Sequence, residues 1–156
     1  MDLCPEVLLK FWEQEGFGSY HNGLLWSSNP DYLKNCLIDI NLENDVVVFL
    51  RTSLLNFYVY SKKVDTFFNI NLRSGWINDV GNDFDIFMMI TLLDDEYLRD
   101  GIDIIMHEKA NKNLGMLDSR SCYGYEPILS LGGEENVQNL RKLSMPEHVS
   151  ILAQTL

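Results

Sequence analysis

Few cysteines, no long apolar run and little positive charge set the first limits on this chain. Its three cysteines stand far apart and are odd in number, so they indicate reduced thiols and no disulfide framework. The longest apolar run, Ile86 to Leu93 with one Thr, is too short to span a membrane. The first residues, Met1 to Pro5, lack the basic and apolar regions of a signal peptide. We therefore expect a cytoplasmic protein without a membrane partner.

The shortage of positive charge limits the partners. Twelve Lys and Arg residues stand against 23 Asp and Glu residues, which gives a net charge of −11. The resulting field repels nucleic acid and anionic lipid and attracts cationic partners. The pairs Lys62-Lys63 and Arg141-Lys142 have no interleaved aromatic residues, so they are solvated charges and no direct nucleic-acid binding is expected. Acidity also keeps many proteins soluble, so the charge alone names no partner.

Metal-binding patterns are also missing. The three histidines, at positions 21, 107 and 148, show none of the short spacings of zinc sites. The stretch from Asp79 to Asp85 alternates carboxylates, as calcium loops do. However, its glycine stands third instead of sixth, and Ile90 occupies the place of the bidentate Glu. A loop followed by a helix cap is the better interpretation of this stretch, and we expect no metal or other cofactor.

Catalytic patterns are equally scarce. Gly132-Gly133 is followed by two glutamates where a phosphate loop needs Lys and then Ser or Thr. Cys122 could in principle use His107 or His148 as a base, but no nucleophile motif surrounds it, and a buried thiol is the simpler interpretation. His148 follows Glu147 in the first turn of a predicted helix, where we expect a structural hydrogen bond. The sequence therefore predicts a protein that is not an enzyme.

The first 72 residues predict two helices and then a sheet. A first helix, which Asp2 can cap, covers about 5–16, and a second covers about 30–39, with a short strand at 24–27 between them. From 46 to 72, β-branched and aromatic residues predict an antiparallel meander of three strands. Its middle strand is apolar on both faces, so it should be central, with helices covering at least one side.

The second half predicts more helices than strands. We expect helices from the Asp83 cap to Leu92, from the acids 94–96 onward, and from Ile104 to Gly115. Strands near 128–131 and 137–143 should precede a last helix, capped by Ser144 with Glu147 in the capping-box position. Gly124, Gly132 and Gly133 are expected to form turns with positive φ. Together these elements predict an α+β fold in one compact domain, 1–156: mainly an antiparallel sheet, made of the meander and the C-terminal strands, covered by several helices.

Two segments resemble a known family. The N-terminal segment comprises FWEQEGFGSYHNGLLW at 11–26 and then NPDY at 29–32; the C-terminal segment comprises SCYGYEPILSLGG at 121–133 and EHVSILAQ at 147–154. In this order they resemble bacterial immunity proteins of the Tdi type, which carry a GAD-like segment and neutralise DNase toxins delivered by type VI secretion. The resemblance implies a GAD-like N-terminal part, 1–42, and a Tdi-type C-terminal part, 43–156.

The resemblance implies an inhibitor, an antitoxin used in bacterial competition. Such a protein binds a secreted effector, here a cationic nuclease, and blocks its active site or its folding. DNases need a positive groove for phosphates, and an acidic protein that presents carboxylates and aromatics to that groove gains steering and specificity. The alternative is a non-catalytic regulatory or scaffold domain of the Smi/Knr-like group, which the helix and Gly-aromatic opening also resemble. A toxin gene next to this one would favour immunity.

Clustered acids and exposed aromatics are the candidate contacts with the toxin. Trp76 follows Ser74-Gly75 at a turn, where its side chain can equally well be buried in the core or exposed at the surface. The acids between 79 and 96 can steer a cationic partner, or they can simply cap helices and keep the protein soluble. The loop at 123–126 is the second candidate. The predicted partner-binding residues are Trp76, Asp79, Asp83, Asp85, Asp94, Asp95, Glu96, Tyr123, Tyr125 and Glu126.

Overall fold

The computed structural model describes residues 3–156, and the predicted cap at Asp2 lies outside them. The helices are α1 (Glu6–Glu15), α2 (Pro30–Cys36), α3 (Phe84–Leu93), α4 (Ile104–Leu114) and α5 (Met145–Ala153). The strands are β1 (Gly18–Tyr20), β2 (Leu25–Ser27), β3 (Val46–Thr52), β4 (Asn56–Ser61), β5 (Thr66–Asn71), β6 (Trp76–Gly81), β7 (Ser121–Tyr125) and β8 (Leu140–Ser144). Short 3-10 turns cover Ile38–Ile40, Leu129–Leu131 and Val137–Asn139, and a π-helical turn covers Tyr97–Gly101.

Six strands form one antiparallel sheet in chain order, from β1 at one edge to β6 at the other. The predicted meander, β3 to β5, lies within it. Strands β7 and β8 pair with each other in a second antiparallel sheet. The two sheets are joined where the N–H of Tyr123 donates to the carbonyl of Ser53 at 2.9 Å. This arrangement confirms the predicted α+β fold and places the C-terminal strands in a small sheet of their own.

Helices cover both faces of the large sheet because its central strands are apolar on both sides. Phe57 and Val59 of β4 pack on one face with residues of α2 and α5. Tyr58 and Tyr60 face the other way and pack with residues of α1 and α3. All six residues of β4 are buried, and each large apolar side chain removed from water contributes about 1.5–3 kcal/mol. The prediction of a central middle strand covered by helices is confirmed.

Four segments differ from their predicted structure. Residues 76–81, predicted as a turn and a break in the pattern, form the edge strand β6. Residues 121–125, predicted as an aromatic loop, form β7, whereas 128–131, predicted as a strand, contain a 3-10 turn. The predicted strand 137–143 begins with another 3-10 turn before β8. Tertiary pairing decides these short segments, because local strand preference is weak and depends on context.

Helix ends agree better with the sequence. Asp83 caps α3 as predicted, since its carboxylate accepts a hydrogen bond from the N–H of Ile86 at 3.0 Å. Helix α1 ends at Gly16, as predicted, with φ of 68°. Ser144 precedes α5 in the predicted position, but its side chain makes no capping bond, so the predicted capping box with Glu147 is not formed.

The three C-terminal glycines are required for two different reasons. Gly132 has φ of 94°, as predicted for a turn. Gly124 and Gly133 do not have positive φ, which corrects the prediction for them. A Cβ at Gly124 would collide with the ring of His148, and one at Gly133 would collide with the carbonyl oxygen of Pro127. His148 of α5 therefore packs directly on the backbone of β7, and this close contact takes the place of the hydrogen bond expected for it.

Candidate partner-binding surface

The edge strand β6 is exposed along almost its whole length. Trp76 is 69% exposed and Ile77 is 64% exposed, and Val80 is the one half-buried residue of the strand. An edge strand offers unpaired backbone groups on its outer side, and natural proteins often protect such edges with Lys or Pro. The sequence of β6, WINDVG, contains neither. The structure thus places Trp76 at the surface, beside a strand edge open to a partner.

Three of the predicted acids have structural tasks. The carboxylate of Asp79 accepts a hydrogen bond from the N–H of Gly81 at 2.7 Å, and that of Asp94 accepts one from the N–H of Tyr97 at 2.7 Å. Asp83 caps α3 in the same way. Each side chain is exposed, but its position is set by the turn or helix start that it stabilises. For these three residues, the interpretation as caps accounts for their presence.

The other three acids have no such task. Asp85, Asp95 and Glu96 are exposed, and in the described part of the chain their carboxylates accept no hydrogen bond. Asp85 lies in the first turn of α3, and Asp95 and Glu96 follow its C-terminal end. All six acids are exposed near the two ends of α3, but Asp85, Asp95 and Glu96 are those that charge neutralisation can test without removing a cap.

The second predicted contact region is corrected by the structure. Tyr123 and Tyr125 are 1% and 2% exposed, and both belong to the core cluster beneath β7 and β8. Burial raises the pKa of each phenol. Glu126 is exposed, and its carboxylate lies 4.0 Å from the Nε of Arg141. In this loop, therefore, Glu126 alone remains a candidate contact.

Helix α3 has an exposed apolar side that was not among the predicted contacts. Its core-facing side consists of Phe84, Phe87, Met88 and Thr91. On the opposite side, four apolar residues are between 43% and 72% exposed. They occupy positions i, i+3, i+4 and i+7, which form one continuous stripe on a helix. We call this set the α3 stripe; it comprises Ile86, Met89, Ile90 and Leu93.

The signal for the α3 stripe is present in the sequence. Of the ten residues of α3, only Asp85 and Thr91 are polar. A helix that is apolar on all sides is normally buried on all sides. Here the sheet covers one side and the stripe has no cover within the described chain. An apolar run that is too short for a membrane and too apolar for a surface helix therefore points to an interface.

One pair in the interior has the composition of a catalytic dyad. The Oγ of Ser53 lies 2.8 Å from the Nδ1 of His107, and the Nε2 of His107 lies 3.2 Å from the carbonyl oxygen of Asn22. If Nε2 carries the proton and donates to that carbonyl, Nδ1 accepts from the serine hydroxyl. Ser53 and His107 are both buried, and burial lowers the pKa of His107. The pair ties α4 to the turns before β2 and β4, and both side chains are almost completely removed from solvent.

The described residues form no site for metal binding or for thiol chemistry. Among residues 3–156, no three His, Cys, Asp or Glu side chains converge on one point. Cys36 and Cys122 are buried and free, and burial raises the pKa of Cys122 to about 12. A thiol with so high a pKa stays protonated at neutral pH and is a poor nucleophile and ligand. These two cysteines pack as small apolar side chains.

A buried arginine lies where the large six-stranded sheet approaches the small C-terminal sheet. Arg51 of β3 is fully buried; one of its Nη atoms donates to the carbonyl of Asp118 at 3.2 Å, and its guanidinium lies 5.1 Å from the ring centroid of Trp26. Burial lowers its pKa to about 10. Arg51 is thus a structural cation inside the molecule, and its positive charge does not offset the acidic residues at the surface.

The overall fold has a solved counterpart. It matches the crystal structure of Atu4351 from Agrobacterium tumefaciens with a TM-score of 0.79, over 98% of this chain and 76% of that chain, at 19% sequence identity. At this identity the match shows a common fold. No curated protein matches the sequence. Within residues 3–156, no helix is both long enough and apolar enough to cross a membrane.

Two family models match adjacent parts of the chain. Residues 1–73 match the GAD-like domain, and residues 83–155 match the C-terminal domain of the type VI secretion immunity protein Tdi1. The two matches lie on either side of β6. Both parts of the predicted resemblance are confirmed, in the predicted order. These two matches show that the chain joins a GAD-like domain to a C-terminal domain of the kind found in the type VI secretion immunity protein Tdi1.

Proposed function

We propose that this protein acts in the cytoplasm and neutralises a nuclease toxin of a type VI secretion system by binding it directly. The match to the C-terminal domain of Tdi1 supports an immunity role and therefore a cognate toxin as the partner. The nuclease class rests on charge, because a DNase must present a positive groove to the phosphates of its substrate. A DNase is accordingly the specific toxin that we propose.

The observation that carries this proposal is the group of exposed acids around α3. Asp79, Asp83 and Asp85 lie before or within its first turn, and Asp94, Asp95 and Glu96 follow its last turn. The described part of this stretch contains no basic residue between Arg73 and Arg99. Such a field accelerates encounter with a cationic surface and disfavours other acidic partners.

The test is the association rate with the toxin at several ionic strengths. The probe is a catalytically inactive form of the cognate effector, which is to be sought among the neighbouring genes. We compare wild type with the combined variant Asp85→Asn, Asp95→Asn and Glu96→Gln, which leaves all three capping acids in place. The variant should associate about tenfold more slowly at low salt, and its rate should depend less on salt, because the steering charge is reduced. Its melting temperature should stay close to that of wild type.

A variant with the same change in net charge at other sites is the control. Glu108, Glu135 and Glu147 are exposed and lie outside the region between residues 79 and 96, and their change to Gln should leave the association rate near that of wild type. Equal rates and equal salt dependence in all three proteins would contradict steering by this region. Failure of wild type to bind the effector, or to protect cells that express it, would contradict the immunity function itself.

A further inference from the structure

We infer that the α3 stripe is the central contact with the toxin, and that it binds an apolar surface flanked at both ends by Lys or Arg. This inference rests on the proposed function and adds the docking face and the chemistry of the surface that fits it. The acids alone would give attraction without a defined contact. The stripe supplies the apolar centre that a stable complex needs.

The apolar stripe is too continuous to be incidental surface. Apolar residues scattered singly over a protein are normal, whereas contiguous exposed patches mark interaction sites. The four side chains of the stripe lie on consecutive turns of one helix, and Leu93, at its end, is 72% exposed. The opposite side of α3 already packs on Phe49, Tyr58 and Phe67 of the sheet. A rotation of the helix could therefore not bury the stripe without exposing that side.

The charges at the two ends of α3 define the partner more closely. Asp83 and Asp85 lie at the N-terminal end, and Asp94, Asp95 and Glu96 lie just beyond the C-terminal end. A helix of ten residues at 1.5 Å per residue is about 15 Å long. A fitting partner therefore presents an apolar strip of about that length with basic side chains beyond each end, so that the charges pair when the strip docks.

The same charges argue against two other occupants of the stripe. A second copy of this chain would bring acids against identical acids at the ends of the helix, in addition to a net charge of −11 on each molecule. Like charges placed face to face in an interface are strongly unfavourable. An anionic lipid surface would be repelled for the same reason. A cationic protein is the occupant that the surface favours.

This arrangement predicts that the stripe and the acids affect different rate constants of binding. Residues at the apolar centre of an interface mostly determine how long a complex lasts, whereas charges at its rim mostly determine how fast it forms. Changes in the stripe should therefore raise the dissociation rate and leave the salt dependence of association unchanged. Changes in Asp85, Asp95 and Glu96 should do the reverse.

The experiment uses the combined variant Met89→Gln and Leu93→Gln, with the same inactive effector as the probe. Because both side chains are exposed, the variant should fold as stably as wild type. Loss of two central contacts should weaken binding roughly a hundredfold, mainly through faster dissociation. The matched control is Ile38→Gln with Leu131→Gln, since these residues are 73% and 71% exposed and lie outside α3. The control should bind like wild type.

Each outcome of this experiment has a distinct meaning. If wild type binds the effector and the Met89 and Leu93 variant binds equally well, the stripe is not the docking face, and the proposed function stands. If wild type does not bind the effector, the proposed function itself fails. A wild-type dimer at micromolar concentration that the variant dissolves, with unchanged binding of the effector, would assign the stripe to a second copy and overturn the inference.

Discussion

Strands β4 and β6 lie on either side of β5 in one sheet and have six residues each, but they differ in almost every other respect. All residues of β4 are buried, whereas five of the six residues of β6 are exposed. Strand β4 pairs on both edges and is covered on both faces; among residues 3–156, β6 pairs only with β5. Packing on two faces dictates the composition of β4. Trp76 and Ile77 of β6 are exposed to water, and packing within the fold does not explain why these residues are apolar. This side of the molecule is therefore available to a partner.

The largest expected effect separates these two strands directly. Phe57→Ala in β4 should lower the free energy of unfolding by about 3–5 kcal/mol, because it leaves a cavity in a closed core. Ile77→Ala in β6 should change it by no more than about 0.5 kcal/mol, since the side chain is already exposed. Chemical denaturation of both variants measures the difference. A loss at Ile77 similar to that at Phe57 would mean that β6 belongs to the core and would break the comparison.

The same contrast explains which elements the sequence could predict. The β4 segment was recognisable because β-branched and aromatic residues fill both of its faces. The β6 segment was missed because Asn78, Asp79 and Gly81 resemble turn residues, and its strand form comes from pairing with β5. Helix α3 was predicted from its cap at Asp83. Local signals thus sufficed wherever cap and periodicity agreed, and they failed wherever a distant strand decided the structure.

The candidate surface was predictable only in part, for a related reason. The clustering of the acids is visible in the sequence, but their tasks are not, since Asp94 as a cap and Asp95 as a free charge are adjacent and chemically alike. Tyr123 and Tyr125 were expected at the surface because a Gly-aromatic pattern resembles a loop, and pairing with β8 buries them. The α3 stripe was overlooked because periodicity shows which residues share a side, and only tertiary structure shows which side is covered.

A smaller effect comes from a comparison of two glycines, one in the packed interior and one at the end of the exposed strand β6. Gly124→Ala should lower the free energy of unfolding by about 1–3 kcal/mol, because the new Cβ meets the ring of His148 in a packed interior. The loss should shrink when His148→Ala is already present, since the colliding ring is gone. A double-mutant cycle from chemical denaturation measures this coupling. Gly81 ends β6 with φ of 87° and open space around it.

Gly81→Ala is therefore the matched change on the exposed side. It should cost about 1 kcal/mol from backbone strain alone, and this cost should not depend on His148. Equal costs of Gly124→Ala with and without the histidine would show that the close contact does not explain the requirement for glycine.

The smallest effect concerns pH and again separates interior from surface. Burial lowers the pKa of His107 and His148 below the ordinary value of 6.5. Between the folded and unfolded pKa values, the unfolded chain binds more protons, so the free energy of unfolding should fall as the pH drops below about 6.5. The pKa of Asp118 is lowered by its hydrogen bonds, so the stability that depends on this carboxylate is lost only at a lower pH. Chemical denaturation between pH 7 and 5 therefore isolates the histidines.

Two variants assign this dependence to its source. His148→Gln should reduce the slope of stability against pH, because one buried proton acceptor is removed. The surface variant Asp85→Asn, Asp95→Asn and Glu96→Gln should keep the wild-type slope, since its exposed side chains accept no hydrogen bond from the fold in the described residues. Stability that is constant across this range in wild type would contradict the burial of neutral histidines. A flattened slope in the surface variant instead would show that the acids around α3 hold the fold together, and would remove the main reason for regarding them as free to bind a partner.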